Sequence, residues 1–293
     1  MAKSLITRGM TRDGSARVIV INSTEMVNEM IKVHKTAPTA TAALGRLVSA
    51  ASMIGTMLPE SKDSMTMGFS TDGEISKMIA VADYFGNVKC YIDNPAADPK
   101  RKPNGKLDVG GALGNGTFYM MKDVGGKEPQ VGTIELVSGE VAEDIATYFA
   151  KSEQVPTVLA LGVLVDVDMT CRAAGGILIQ LLPFPDDGTV DLIERNAAAI
   201  SNPSKLFDSG LSNEEIINIA MKDIEFDIFD TIEVEYKCDC ARERMRKKIK
   251  ALGKDEIKSM FDEQEKEGKA RVLTAVCHFC NSKYDFTEKD LIG

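Results

Sequence analysis

KCDCARERMRKK, residues 237–248, places two cysteines one residue apart before a run of mostly charged residues, and CHFC at 277–280 supplies a second pair. These two pairs decide how the chain divides. A C-x-x-C at a turn between strands sets both sulfurs on one side of a knuckle, and a C-x-C at a strand end can present its sulfurs to the same point. Cys238, Cys240, Cys277 and Cys280 therefore offer four soft ligands, the set that suits tetrahedral zinc at about 2.3 Å per Zn–S bond. The tail that carries them is short and nearly half charged. It has too little core to fold alone, so metal binding would supply much of its folding free energy.

Other uses of four cysteines exist. Structural disulfides are disfavoured in a reducing compartment, an iron–sulfur cluster expects tighter ligand runs, and a purely structural zinc site is the plain alternative. Two features point beyond it. Zinc-bound sulfurs are thiolates, the form oxidants attack, and Arg242, Arg244, Arg246, Lys247 and Lys248 lie close in sequence to favour that form. Each pair also keeps a near resolving partner, so oxidation can stop reversibly at disulfides, with the tight C-x-C ring the easier to reduce again. The arrangement can act as a switch whose off state is zinc-bound and folded.

Upstream of this tail the charge changes sign. Residues 184–236 carry a net charge of -10 and residues 237–293 a net charge of +3, within a chain total of -9, so the two segments can dock electrostatically. In the acidic segment Val190, Ile193, Ala197 and Ile200 recur at helical spacing. SNEEIINIAM then opens with a capping box of Ser212 and Glu215 and lines Ile216, Ile217, Ala220, Met221 and Ile224 along one face. Helices this short, with a surplus of like charge, have little stability of their own. They read either as packed on the main domain or as a marginal linker.

Residues 1–183 are dominated by period-two stretches: ARVIVIN, SMTMGFS, ISKMIAVAD, VKCYID, TFYMMKDV and VGTIELV read as strands. Helical patterns interrupt them, with Ser23 and Ser138 as candidate N-caps and Pro38 at a first-turn position. VLALGVLVDVD and GGILIQLLPF read as central strands. The expected fold class is α+β: a large N-terminal mixed-sheet domain with packed helices (1–183), an acidic helical linker (184–230) and a small C-terminal zinc-binding domain (231–293). The last would start with TIEVEYKC as a strand and continue through two helices and a strand–CHFC–strand knuckle.

The remaining candidates are weaker. Cys90 and Cys171 sit in apparent strands and read as buried, inert thiols. His278 could substitute for one sulfur, and His34 follows a helix with no partner in view. GGALGNGT reads as a hairpin turn rather than a dinucleotide loop. No G-x-S-x-G, H-E-x-x-H or Walker sequence occurs, so no enzyme is expected. The first residues lack the apolar core of a signal peptide and APTATAALGRLVSAASMIGTML holds Arg46, so a cytoplasmic protein without a membrane span is expected.

The ordered combination of TAALGRL, SGE, SEQVPT, AAGGILIQLLP, CDC and CHFC resembles the heat shock protein 33 family of redox-regulated holdase chaperones along the whole chain. The resemblance implies an ATP-independent chaperone of the bacterial cytoplasm that binds one zinc per chain and is inactive when reduced. It implies further that oxidative stress joins Cys238 to Cys240 and Cys277 to Cys280, that zinc leaves, and that tail and linker unfold. The active form, typically a homodimer, would hold unfolded client proteins for ATP-dependent chaperones downstream. Ile193, Ile200, Ile216, Ile217 and Met221 are then the candidate client-binding or linker face. A competing expectation is a zinc-ribbon nucleic-acid adaptor using the basic helix after Cys240, which the acidic balance of the chain disfavours.

Overall fold

The computed structural model describes residues 3–126 and 128–292, which divide into two compact units, one running to Lys237 and one starting at Cys238. The first unit begins with the hairpin β1 (Ser4–Thr11) and β2 (Ala16–Asn22), followed by helices α1 (Thr24–His34) and α2 (Pro38–Gly55). Strands β3 (Ser64–Thr71), β4 (Lys77–Asp83) and β5 (Val88–Ile92) lead through the short helix α3 (Val109–Leu113) to β6 (Gly116–Asp123) and β7 (Gln130–Glu135). Helix α4 (Ala142–Tyr148) precedes β8 (Thr157–Val165) and β9 (Cys171–Leu181). The acidic segment folds as α5 (Asp187–Ala197), α6 (Pro203–Asp208) and α7 (Asn213–Ala220), and β10 (Phe226–Val234) ends the unit.

The strands form two five-stranded antiparallel sheets, ordered β10-β1-β2-β9-β8 and β5-β4-β3-β6-β7. Helix α2 lies in the core against strands of both and buries every residue from Thr39 to Gly55 except Arg46. A helix apolar on all sides must be narrow to fit there. Its alanines and Gly45 provide this: a side-chain carbon at Gly45 would come within 3.0 Å of Val163.

Strand alternation assigns the two faces of the first sheet. Ile19 and Ile21 of β2 join the α2 core, whereas Ala16, Val18 and Val20 point the other way and meet Ile193, Ile200, Phe207, Ile216, Ile217, Ala220 and Met221 of the acidic helices. Those helices are therefore a cover on the outer face of the sheet. Polar ties fix them: Asn213 donates through Nδ2 to the carbonyls of Leu5 (2.9 Å) and Val20 (3.2 Å), and Thr189 of α5 donates to the Asp13 carboxylate at 2.7 Å.

Several expectations are corrected here. The strand assigned to the tail from residue 231 starts at Phe226 and pairs with β1, so it belongs to the first unit, and the tail begins at Cys238. The apolar run read as a central strand, β8, is an edge strand, kept apolar because α2, α4 and α6 pack against it. Ser23 does not cap α1; its hydroxyl pairs with Ser49 of α2 at 2.7 Å. Ser138 does not cap α4, which starts at Ala142, and the Asp144 carboxylate accepts from its backbone N–H instead. GGALGNGT is in part helix α3, capped by Asp108. His34 has a partner: its Nε2 lies 3.0 Å from the Tyr236 hydroxyl. Strand β1 was not anticipated, because Arg8 and Gly9 interrupt its alternation and a bulge falls between them.

The second unit comprises α8 (Arg242–Lys250), α9 (Lys254–Lys266), the hairpin β11 (Val272–Val276) and β12 (Lys283–Thr287), and α10 (Glu288–Leu291). Its core is small: Ile257, Phe261, Leu273, Phe286 and Leu291 are buried, flanked by Met245, Ile249 and Tyr284. Among the described residues no helix is long and apolar enough to cross a membrane.

Candidate metal centre

The second unit folds its two cysteine pairs toward one point. The turn between β11 and β12 is closed by the Cys277 N–H donating to the Ser282 carbonyl (2.9 Å) and the Asn281 N–H donating to the Cys277 carbonyl (2.8 Å). Asn281 takes the left-handed conformation at φ 57°, which asparagine tolerates better than most residues. Cys238 and Cys240 sit in the irregular stretch before α8.

All four sulfurs lie within 4.8 Å of one another. Cys238 and Cys277 are 3.7 Å apart and Cys240 and Cys280 3.3 Å apart. Tetrahedral bonds of about 2.3 Å place sulfurs about 3.8 Å from each other, so the cluster is close to the size a metal ion requires. Cysteine is the only ligand type in the group, and His278 is not a member. The four side chains can hold a metal ion, and a set of four thiols is the soft donor set that zinc accepts.

The electrostatics differ among the sulfurs. Desolvation pushes the Cys238 thiol far above its ordinary range. Desolvation also raises Cys240, opposed by the hydrogen bond it shares with the Tyr284 hydroxyl at 3.1 Å. Desolvation works against the Cys280 thiolate as well, but the Ser282 hydroxyl at 3.2 Å and the Ser282 backbone outweigh it, and the thiol falls to about 7. The contact with Cys240 pushes the Tyr284 phenol up to about 12.

The basic helix contributes less than its sequence suggests. Arg242 donates to Asp290 (3.1 Å) and to the Asp285 carbonyl (3.0 Å), and its guanidinium lies 4.7 Å from the centre of the Phe286 ring. Arg244 pairs with Asp239 at 2.5 Å and Arg246 with Glu243 at 2.8 Å. Carboxylates thus neutralise three of the charges expected to act on the sulfurs, although Arg244 also senses Cys238 and Cys240 after Asp239. Tyr284 and Ser282 were missed at the sequence level. The available signal was the spacing in CNSKYDF, which puts a hydroxyl two and four residues after Cys280.

The other two thiols belong to the first unit. Cys90 and Cys171 are buried, and desolvation pushes each up to about 12, as expected for inert core cysteines. The five apolar positions picked from the acidic segment, Ile193, Ile200, Ile216, Ile217 and Met221, all lie buried against the first sheet.

These features define a class: an α+β protein of two units, the smaller carrying a four-thiol centre able to take a metal ion. A family model described as Hsp33 protein matches residues 4–287, and the chain belongs to that family. It is 39% identical over 291 residues to a 33 kDa chaperonin of Clostridium botulinum (strain 657 / Type Ba4), covering 99% of this chain and 96% of the relative. A 33 kDa chaperonin of Clostridium beijerinckii is 38% identical over 290 residues, covering 99% and 97%. The crystal structure of a 33 kDa chaperonin, a heat shock protein 33 homologue from Thermotoga maritima, superposes with a TM-score of 0.90 at 32% identity, covering 99% of this chain and 97% of that one.

Proposed function

We propose that this protein is a redox-regulated, ATP-independent holdase of the cytoplasm, inactive while reduced and zinc-bound. The observation that carries the reading is the convergence of Cys238, Cys240, Cys277 and Cys280 in a unit whose buried core holds only five apolar side chains among the described residues. Zinc, when bound, supplies the crosslink that so small a core lacks. A peroxide oxidises Cys238 with Cys240, and Cys277 with Cys280; each disulfide takes one equivalent of peroxide, two thiols being oxidised and the peroxide reduced to two waters. The ligand set is thereby consumed and the tail loses its fold.

The second half of the reading concerns α5–α7. They carry a surplus of acid and cover the apolar outer face of the first sheet through Ile193, Ile200, Ile216, Ile217 and Met221. Loss of this cover would expose both the helices' own apolar stripe and the sheet face under it, a surface suited to unfolded proteins of many sequences. In this reading the oxidised protein acts as a homodimer and passes its clients to ATP-dependent chaperones; it has no catalytic residue and no nucleic-acid partner. The intramolecular pairing of Arg242, Arg244 and Arg246 favours it over a phosphate-tracking adaptor.

The test is light scattering from an unrelated protein unfolding at elevated temperature, with this chain added either reduced and zinc-loaded or peroxide-treated. Suppression by the oxidised form alone is expected. Equal behaviour of the two forms would reduce the cluster to a structural site.

A further inference from the structure

Tyr284 joins the thiol centre to the buried core of the tail. It stands on β12, opposite Ala275 of β11 and two positions before the fully buried Phe286, and its ring packs against the cluster of Ile257, Phe261, Leu273, Phe286 and Leu291. Its hydroxyl reaches past that core to Cys240, 3.1 Å from Sγ and 3.3 Å from the carbonyl oxygen. A phenol has one proton and two acceptors compete for it. The O···O separation exceeds the roughly 2.5–3.0 Å normal for O–H···O, while 3.1 Å is a close approach for the larger sulfur atom. A metal-bound sulfur is a thiolate, which can only accept. The proton therefore belongs to the sulfur whenever the centre is loaded.

We infer that Tyr284 is a positioning residue of the redox centre: its hydroxyl donates to the Cys240 thiolate and holds the C-x-C arm onto the tail core. The inference rests on the proposed reading of the four cysteines as a metal-binding switch and names the side chain that sets how firmly that switch is closed. Donation to the thiolate draws charge off the sulfur, which strengthens retention of the metal-loaded state and weakens the sulfur as a nucleophile. Cys280 has a separate partner, the Ser282 hydroxyl at 3.2 Å, so the two arms are tuned by different residues. Breaking the Tyr284 bond loosens the C-x-C arm at its link to the core.

The test compares full-length wild type, Tyr284→Phe and Ser282→Ala, each reduced and loaded with cobalt(II) or zinc. For Y284F we expect metal affinity about 10- to 100-fold weaker, the range typical for loss of a hydrogen bond to a metal ligand. We also expect a sulfur-to-cobalt charge-transfer band moved to lower energy and faster alkylation of Cys240, read by peptide mass, with the Cys280 rate unchanged. S282A should instead change the Cys280 alkylation rate and leave the Cys240 rate unchanged. A Y284F protein with wild-type band position, affinity and Cys240 reactivity overturns the inference. If Y284F does not fold, cadmium-113 NMR of the wild type decides: a coupling between the metal and the Tyr284 hydroxyl proton supports the bond, and its absence overturns it. A wild type that binds no metal would overturn both readings; a wild type that binds and releases metal on oxidation while Y284F matches it would overturn this one alone.

Discussion

Replacing Ile216 by alanine tests whether α5–α7 are a separable cover. Ile216 is 0% exposed and belongs to the same buried cluster as Val18, Val20, Ile177 and Ile179 on the outer face of the first sheet. Ile→Ala removes three carbons, worth about 2.4 kcal/mol at roughly 0.8 kcal/mol per buried CH2. The cavity left behind adds to this, within the range of about 2–5 kcal/mol seen for such changes. A loss of about 3 kcal/mol raises the population of the undocked cover by about two orders of magnitude. Because these side chains form a cluster distinct from the α2 core, the opening should be local. Hydrogen exchange of the reduced protein, read by mass spectrometry, should accelerate about 100-fold across residues 187–220 and stay unchanged in β3–β7. The reduced variant should also suppress client aggregation partially without oxidant. Uniform acceleration through both sheets would refute the argument, since the helices would then open only with the whole unit.

Three further outcomes follow from named contacts. Metal removal from the reduced protein, or Cys280→Ser, should abolish the helical signal of α8 and α9 and collapse exchange protection over 242–291, because the five-residue core is too small alone; a tail that keeps its protection contradicts this. Gly175→Ala would put a carbon 2.1 Å from the Phe207 ring and 2.4 Å from the Ile21 carbonyl oxygen; with backbone on one side, a loss of about 1–3 kcal/mol is expected as a lower urea midpoint at constant m-value. Desolvation works against the Asp13 carboxylate, but hydroxyls of Ser15, Thr11 and Thr189 outweigh it and hold the group well below the ordinary carboxyl range. A depressed folded-state value means that this contribution is present above about pH 4 and is lost as pH falls below it. Exchange at the start of α5, where Thr189 donates to Asp13, should therefore rise, relative to the intrinsic exchange rate, as pH falls below about 4, and Asp13→Asn should remove that dependence.

The sequence was most legible where one residue type carries one local meaning. Cys238, Cys240, Cys277 and Cys280 announced a four-thiol site by spacing alone, and the described structure gathers their sulfurs at one point. Ser212 and Glu215 announced the start of α7, and both halves of that capping box are present. The signals that failed were those that needed a partner from far along the chain. Alternation cannot tell a central strand from an edge strand covered by helices, and so β8 was misplaced. A serine before a helix looks like a cap until Ser49 of another helix takes its hydroxyl, as happens to Ser23.

The sequence by itself determined the residue chemistry: four thiols in two pairs, an acidic amphipathic segment, and alternating strands around an alanine-rich helix. These are properties of neighbours two to four residues apart, read from motif spacing and from helical and strand periods. Only the tertiary structure decided that β10 closes the first sheet against β1, that the acidic helices lie on the outer face of that sheet, and that Tyr284 reaches Cys240. Each of those depends on pairing and packing between residues tens to hundreds of positions apart. Such contacts are selected by the fold's total burial and hydrogen bonding, which no local pattern records.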